Sequence, residues 1–182
     1  MSLEIYILAG GKSTRMGQDK GMMLLGNKEM IRYIIETVQK LNLPFKVVAN
    51  LSTYQSLDVP IIQDMILDKG AMGGLYTALC DCQSDYILLL SCDMPFISVE
   101  VLNHIIKPVN RHECLVAEID GKINPLLAIY KKSLLDDLRK HIFEGQLKMQ
   151  TFILTTAYTT IKMDFFNKEQ FRNINTTKDI PL

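Results

Sequence analysis

Apolar positions along this chain follow two periods. Leu3-Glu4-Ile5-Tyr6-Ile7-Leu8 is an almost unbroken run of β-formers, the pattern of a strand covered on both faces. From about Lys28 to Leu41, after Asn27, the spacing becomes helical and puts Met30, Ile31, Ile34, Ile35, Val38 and Leu41 on one face. Pro44 ends that helix, and Phe45-Lys46-Val47-Val48-Ala49 reads as a second strand. Val59-Pro60-Ile61-Ile62-Gln63 reads as a short third strand that stops at Asp64. The loop from Asp64 enters a helix opening at Gly73-Gly74 and running through Leu75, Ala78 and Leu79. Asp85-Tyr86-Ile87-Leu88-Leu89-Leu90-Ser91 is apolar enough for a central parallel strand. Ser98 then caps a helix carrying Val101, Leu102, Ile105 and Ile106.

The pattern changes after residue 113. Cys114–Ile119 and Ile123–Tyr130 flank Asp120-Gly121, a hairpin signal that brings one antiparallel strand into the sheet. Ser133 and Asp136 form a capping pair before a helix with Leu134, Leu135, Leu138 and Ile142 on one side. A weaker helix spans Leu147–Leu154, Ala157–Met163 reads as an edge strand, and the tail from Phe171 is polar and amide-rich. The alternation predicts a three-layer αβα fold with a mostly parallel twisted sheet, in one domain spanning residues 1–182. In such sheets ligands bind beyond the carboxyl ends of the strands. Gly10-Gly11, Asp64 and Asp93 each follow a strand, so the fold brings them to one rim.

Composition narrows the partners. A formal net charge of zero over 182 residues gives no broad attraction to nucleic acid or an anionic membrane. Any anion site is a local concentration of cations. No apolar run approaches membrane-spanning length and the opening residues carry no basic leader, which points to the cytoplasm. Cys80, Cys82, Cys92 and Cys114 lack metal-site spacing and read as reduced, mostly buried thiols. His104, His112 and His141 are scattered and read as structural.

The chemistry concentrates in Leu8-Ala9-Gly10-Gly11-Lys12-Ser13-Thr14-Arg15-Met16-Gly17-Gln18-Asp19-Lys20. Paired glycines let backbone N–H groups approach phosphate oxygens, and Lys12, Arg15 and Lys20 neutralise charge, which suits a polyphosphate. A Walker A loop would need glycine where Tyr6 stands, and neither glycine begins a Gly-x-Gly-x-x-Gly fingerprint. The plain alternative is a turn flanked by solvated cations. Asp93, directly after the strand ending at Ser91, has the rigid support a metal-binding carboxylate needs. Beside a triphosphate, Mg²⁺ is its natural partner. A turn or capping role is the competing reading of Asp93.

Leu8-Ala9-Gly10-Gly11, Arg15-Met16-Gly17 and Asp19-Lys20 resemble the loop of nucleotidyltransferases with the nucleotide-diphospho-sugar transferase fold. Among these, the chain is most similar to the molybdenum cofactor guanylyltransferases. Cys92-Asp93-Met94-Pro95 resembles their Cys-Asp-x-Pro segment, whose aspartate binds Mg²⁺ and nucleotide. The resemblance assigns nucleotide contacts to Leu8, Ala9, Gly10, Gly11, Lys20, Asp64 and Asp93. It places Asn124-Pro125-Leu126 and Tyr130 behind the second substrate, and Asn173 and Asn175 on the molybdopterin side. Lys69-Gly70-Ala71-Met72 and Thr177 depart from the family by lacking its prolines, and the role of Asn50 stays open.

The implied reaction is GMP transfer from GTP to the terminal phosphate of molybdopterin, with release of pyrophosphate. Arg15, Lys20 and Asp93 would carry it, with Mg²⁺ on Asp93 as cofactor, and Asp19 orienting the loop. Proteins of molybdenum cofactor biosynthesis or acceptor enzymes would be further partners. A cytidylyltransferase on the same cofactor and a nucleotide-binding regulator without catalysis are the alternative readings.

Overall fold

The computed structural model describes residues 2–10, 19–109, 112–175 and 179. Strand β1 (Leu3–Leu8) lies inside a seven-stranded sheet of order β5-β4-β1-β6-β8-β7-β9. Its parallel neighbours are β4 (Phe45–Val48) and β6 (Tyr86–Ser91), and β5 (Ile61–Ile62) follows β4, also parallel. The hairpin predicted at Asp120-Gly121 joins β7 (Cys114–Ile119) to β8 (Lys122–Lys131). β8 is antiparallel to both β6 and β7, and β9 (Tyr158–Lys162) completes the edge parallel to β7. The sheet is therefore mostly parallel with one reversed strand, as the sequence pattern predicts.

Alternation along the strands divides the core into two layers. Ile5, Ile7, Leu88 and Leu90 pack on the face covered by α1 (Met30–Gln39) and α3 (Val99–Ile106). Tyr6, Ile87 and Leu89 point the other way, toward α2 (Gly70–Asp81), α4 (Leu135–Phe143) and α5 (Met149–Leu154). Apolar residues on both sides of β1 and β6 explain why their sequences read as continuous hydrophobic runs. At about 1.5–3 kcal/mol per buried large aliphatic side chain, these layers dominate the folding energy.

Several element boundaries differ from expectation, among them β5, which is only Ile61–Ile62, and the starts of three helices. α1 begins at Met30 because Lys28–Glu29 (β3) pairs antiparallel with Leu24–Leu25 (β2) across a turn at residues 26–27. It buries Met30, Ile31, Ile34, Ile35 and Val38, while Leu41 falls beyond its last turn, half-buried against the same core. α4 begins after a short 3-10 turn, Lys132–Leu134, and no side chain caps it; Asp136 instead pairs with Arg139 at 2.9 Å. The Ser133 and Asp136 cap is thus absent. α2 opens at Gly70, three residues earlier than Gly73-Gly74 suggested.

The reason for that last difference is packing. A Cβ on Gly74 would stand 2.8 and 2.9 Å from the two methyls of Leu8, so this glycine lets α2 lie close against the end of β1. Its place is inside the helix, and the backbone N–H groups without helical partners belong to Gly70 and the residues just after it.

Candidate active site

The carboxyl ends of β1, β4, β5 and β6 form one rim. Backbone bonds carry the pairing past the strands: the Ala9 amide donates to Val48 O and the Cys92 amide to Leu8 O, at 2.9 and 3.0 Å. Gly10 follows with φ +94°, a left-handed conformation that a residue with a side chain rarely adopts, and turns the chain across the rim. A cleft of about 310 Å³ opens here, lined by Leu8, Ala9, Gly10, Lys20, Asp64 and Asp93, together with Gly70 and Ala71 at the start of α2. Strand ends bring Leu8, Ala9, Gly10, Asp64 and Asp93 together here and the turn at Lys20 adds its side chain, so every described residue that the sequence assigned to the nucleotide lines one cleft. Gly11 and Arg15 lie outside the described residues.

Lys20 and Asp93 meet at the centre. The Lys20 ammonium Nζ stands 3.3 Å from Asp93 Oδ2, and both side chains are mostly buried. The same ammonium donates to Asn175 Oδ1 at 2.5 Å. Asn175 reaches it because the tail crosses the rim: the Ile174 amide donates to Asp93 O at 2.9 Å, and the Ile174 side chain is buried against Leu25, Met30 and Phe96. Asn173 precedes this anchor and is exposed. An apolar plug thus fastens the amide-rich tail to the carboxylate at the end of β6.

Asn50, whose role the sequence left open, forms a two-way pair with Asp64. Its Nδ2 donates to Asp64 Oδ2 at 2.8 Å, and its Oδ1 accepts the Asp64 amide at 2.9 Å. The other carboxylate oxygen, Asp64 Oδ1, is buried and has no hydrogen-bond partner among the described residues. Burial raises the Asp64 pKa above the usual carboxylate value, against the lowering effect of the Asn50 bond. An acceptor stripped of water and of protein donors favours a ligand that brings N–H groups.

The segment that the resemblance sets behind a second substrate is shaped by an irregularity in β8. Ala117 pairs with Asn124 but Val116 with Ala128, so β8 carries extra residues that include Pro125. A proline is tolerated in an interior strand at such a bulge. Tyr130, buried, donates its hydroxyl to Pro125 O at 2.8 Å, and Leu126 lines the cleft. Asn124 Oδ1 accepts the Leu126 amide at 3.0 Å. Cys92 sits beneath the rim as a packed thiol: burial, then the nearby Asp93 and Asp19, push it up to about 12, so it is no nucleophile at neutral pH. Among the described residues no group of three or more His, Cys, Asp or Glu could hold a metal by itself. No helix among them is long and apolar enough to cross a membrane.

Residues 5–158 match the family described as MobA-like NTP transferase domain. The chain belongs to that family. Within the MobA-like group, a probable molybdenum cofactor guanylyltransferase of Flavobacterium johnsoniae is 32% identical over 180 residues, covering 98% of this chain and 95% of the relative. The molybdenum cofactor guanylyltransferase of Haemophilus influenzae is 30% identical, covering 99% and 96%. In architecture, molybdopterin-guanine dinucleotide biosynthesis protein A from Archaeoglobus fulgidus superposes with a TM-score of 0.82 at 23% identity, over 97% of this chain and 94% of that one. This MobA-like chain is a nucleotidyltransferase with the nucleotide-diphospho-sugar transferase fold.

Three residues in or beneath the MobA-like cleft were not singled out from sequence as part of it. Gly70 and Ala71 take the place expected of Gly73-Gly74, a difference traceable to the packing glycine at position 74. Tyr54 lies under the Lys20 turn in a polar stretch where no periodicity marks it as buried.

Proposed function

We propose that this chain transfers GMP from GTP to the terminal phosphate of molybdopterin, giving molybdopterin guanine dinucleotide and pyrophosphate. The observation that carries the reading is the convergence of Gly10, Lys20, Asp64 and Asp93 on one cleft in a chain whose relatives are named for that reaction. The names of those relatives favour guanine over the cytidylyltransferase alternative. The Lys20–Asp93 pair and the tail fastened to it favour catalysis over passive nucleotide binding.

Transfer needs no covalent enzyme intermediate. An oxygen of the acceptor phosphate attacks the α-phosphorus of GTP, and the bond from that phosphorus to the bridging oxygen of the β-phosphate breaks. The electron pair leaves with pyrophosphate. Because the nucleophile is already an anion, what the protein supplies is alignment and charge neutralisation. Lys20 exchanges its contacts with Asp93 and Asn175 for the oxygens that gain charge. Gly10 presents backbone to the phosphates, and the start of α2 offers unpaired N–H groups. The Asn50–Asp64 pair receives the base edge. Reaching Asp64 Oδ1 takes a rotation of the carboxylate, since that atom is covered in the free protein.

Magnesium fits the donor set. Asp93 supplies one hard carboxylate oxygen beside the cleft, and an ion that binds one or two carboxylates takes its remaining ligands from phosphate and water. When bound there it screens the negative charge of the phosphate oxygens. Asn173 and Asn175, whose amides both donate and accept, suit a pterin edge.

The test is Asp93→Ala assayed for pyrophosphate release with GTP, molybdopterin and magnesium. Loss of roughly a hundredfold or more in kcat is expected, with the thermal midpoint retained. Turnover equal to that of the unaltered enzyme would refute the assignment.

A further inference from the structure

Tyr54 belongs to the short 3-10 turn Ser52–Leu57, whose neighbours are mostly polar and exposed, yet its side chain is fully buried. Its hydroxyl donates to Asp19 Oδ1, and that same oxygen accepts the Gly21 amide at 3.0 Å. One carboxylate oxygen therefore grips the chain on both sides of Lys20. The fit leaves no slack, since a Cβ on Gly21 would stand 2.5 Å from the Tyr54 hydroxyl. Burial, then the neighbouring Cys92 and Asp19, push the phenol far above its usual range, so it remains a donor at any working pH.

Unlike Asp93 and Gly10, Lys20 is not set at the end of a sheet strand. Its turn, Lys20–Met22, is a single 3-10 helix capped by Asp19. The ammonium group sits at the end of four methylenes, so its position against Asp93 depends on where this turn stands. A misplacement of about 1 Å in a group that aligns a reaction is enough to lose up to about a hundredfold in rate.

We propose that Tyr54 is a positioning residue for the transfer reaction: its hydroxyl, acting through Asp19, sets where the Lys20 ammonium stands beside Asp93. The proposal rests on the role given above to Lys20. A residue that merely fills the core would affect stability and leave the rate per folded molecule unchanged.

The test compares Tyr54→Phe, Lys20→Ala and the double variant by kcat, KM for GTP and thermal midpoint. Tyr54→Phe keeps the ring and removes only the hydroxyl. It should lower kcat roughly tenfold, with KM for GTP changed less than about twofold. In the Lys20→Ala background the same change should add less than about twofold, because the group it positions is gone. An equal loss in both backgrounds, or an unchanged kcat in Tyr54→Phe, would overturn the proposal while leaving the role of Lys20 intact. Undiminished turnover of Lys20→Ala would overturn that role and the proposal with it. If Tyr54→Phe does not fold, Asp19→Asn weakens the same bond from its other end and is read against Lys20→Ala in the same way.

Discussion

Asp64→Asn changes one charge and almost no volume, and it should move stability and nucleotide affinity in opposite directions. In the folded protein burial raises the Asp64 pKa above its ordinary value of 3.8. The folded state therefore holds this proton more tightly than the unfolded chain. Stability from this group is present at acid pH and falls as pH rises through the raised value. At neutral pH the free protein carries that penalty in full, and asparagine removes it. The thermal midpoint of ligand-free Asp64→Asn should thus equal or exceed that of the unaltered protein at pH 7, and the gap should close on acidification. Affinity goes the other way. Asp64 Oδ1 is an ionised acceptor with no donor among the described residues, and a base N–H that reaches it makes a charge-assisted bond worth about 1.5–3 kcal/mol. At 1.4 kcal/mol per tenfold, losing it weakens GTP by roughly 10- to 150-fold. Thermal-shift titrations with GTP, CTP, ATP and UTP measure both effects together, since a nucleotide at a hundred times its Kd adds about 2.7 kcal/mol. In the unaltered enzyme GTP should also bind less tightly as pH falls through the raised pKa. Unchanged GTP affinity in Asp64→Asn, or an equal loss for all four nucleotides, would refute the reasoning.

Gly74→Ala should leave stability within about 1 kcal/mol, because the helical preference for alanine offsets the crowding. The added methyl pushes Leu8 into the cleft, so KM for GTP should rise in steady-state assays. Asp81 receives Lys46 Nζ and the Tyr6 hydroxyl, each at 2.6 Å. Burial alone would raise its pKa, but those two bonds outweigh it and hold the carboxyl below 3.8. Its share of stability is complete above pH 3.8 and disappears as pH falls through the lower folded value. Urea unfolding across the acid range should show that limb flattened in Asp81→Asn.

What could be read from the chain follows from where the signals are local. β1 and β6 are buried on both faces, so their runs from Leu3 and Tyr86 needed no partner to be recognised. Gly10 and Asp93 were legible for the same reason, because they follow β1 and β6; Asp64 follows only the two-residue β5 and was marked by the short apolar run that stops at it. Asn50 was not, since β4 is only four residues long and does not fix the register beyond Val48. Gly73-Gly74 looked like a helix opening because a glycine pair marks a turn as readily as a close contact. Ser133 and Asp136 have the spacing of a cap, yet the chain there forms a 3-10 turn and leaves the pair unused. Tyr54 depends on Asp19, thirty-five positions away. Only the fold brings those two together.

The Ile174 anchor makes the order of synthesis matter. Every strand of the sheet has left the ribosome before Ile174 does, so the body of the protein is available for folding while Lys20 and Asp93 still lack their contacts to the tail. A nascent or clipped chain ending just short of Ile174 would keep its sheet but leave Lys20 without its amide partner. Such a molecule would also bare Leu25, Met30 and Phe96, the apolar surface that Ile174 covers.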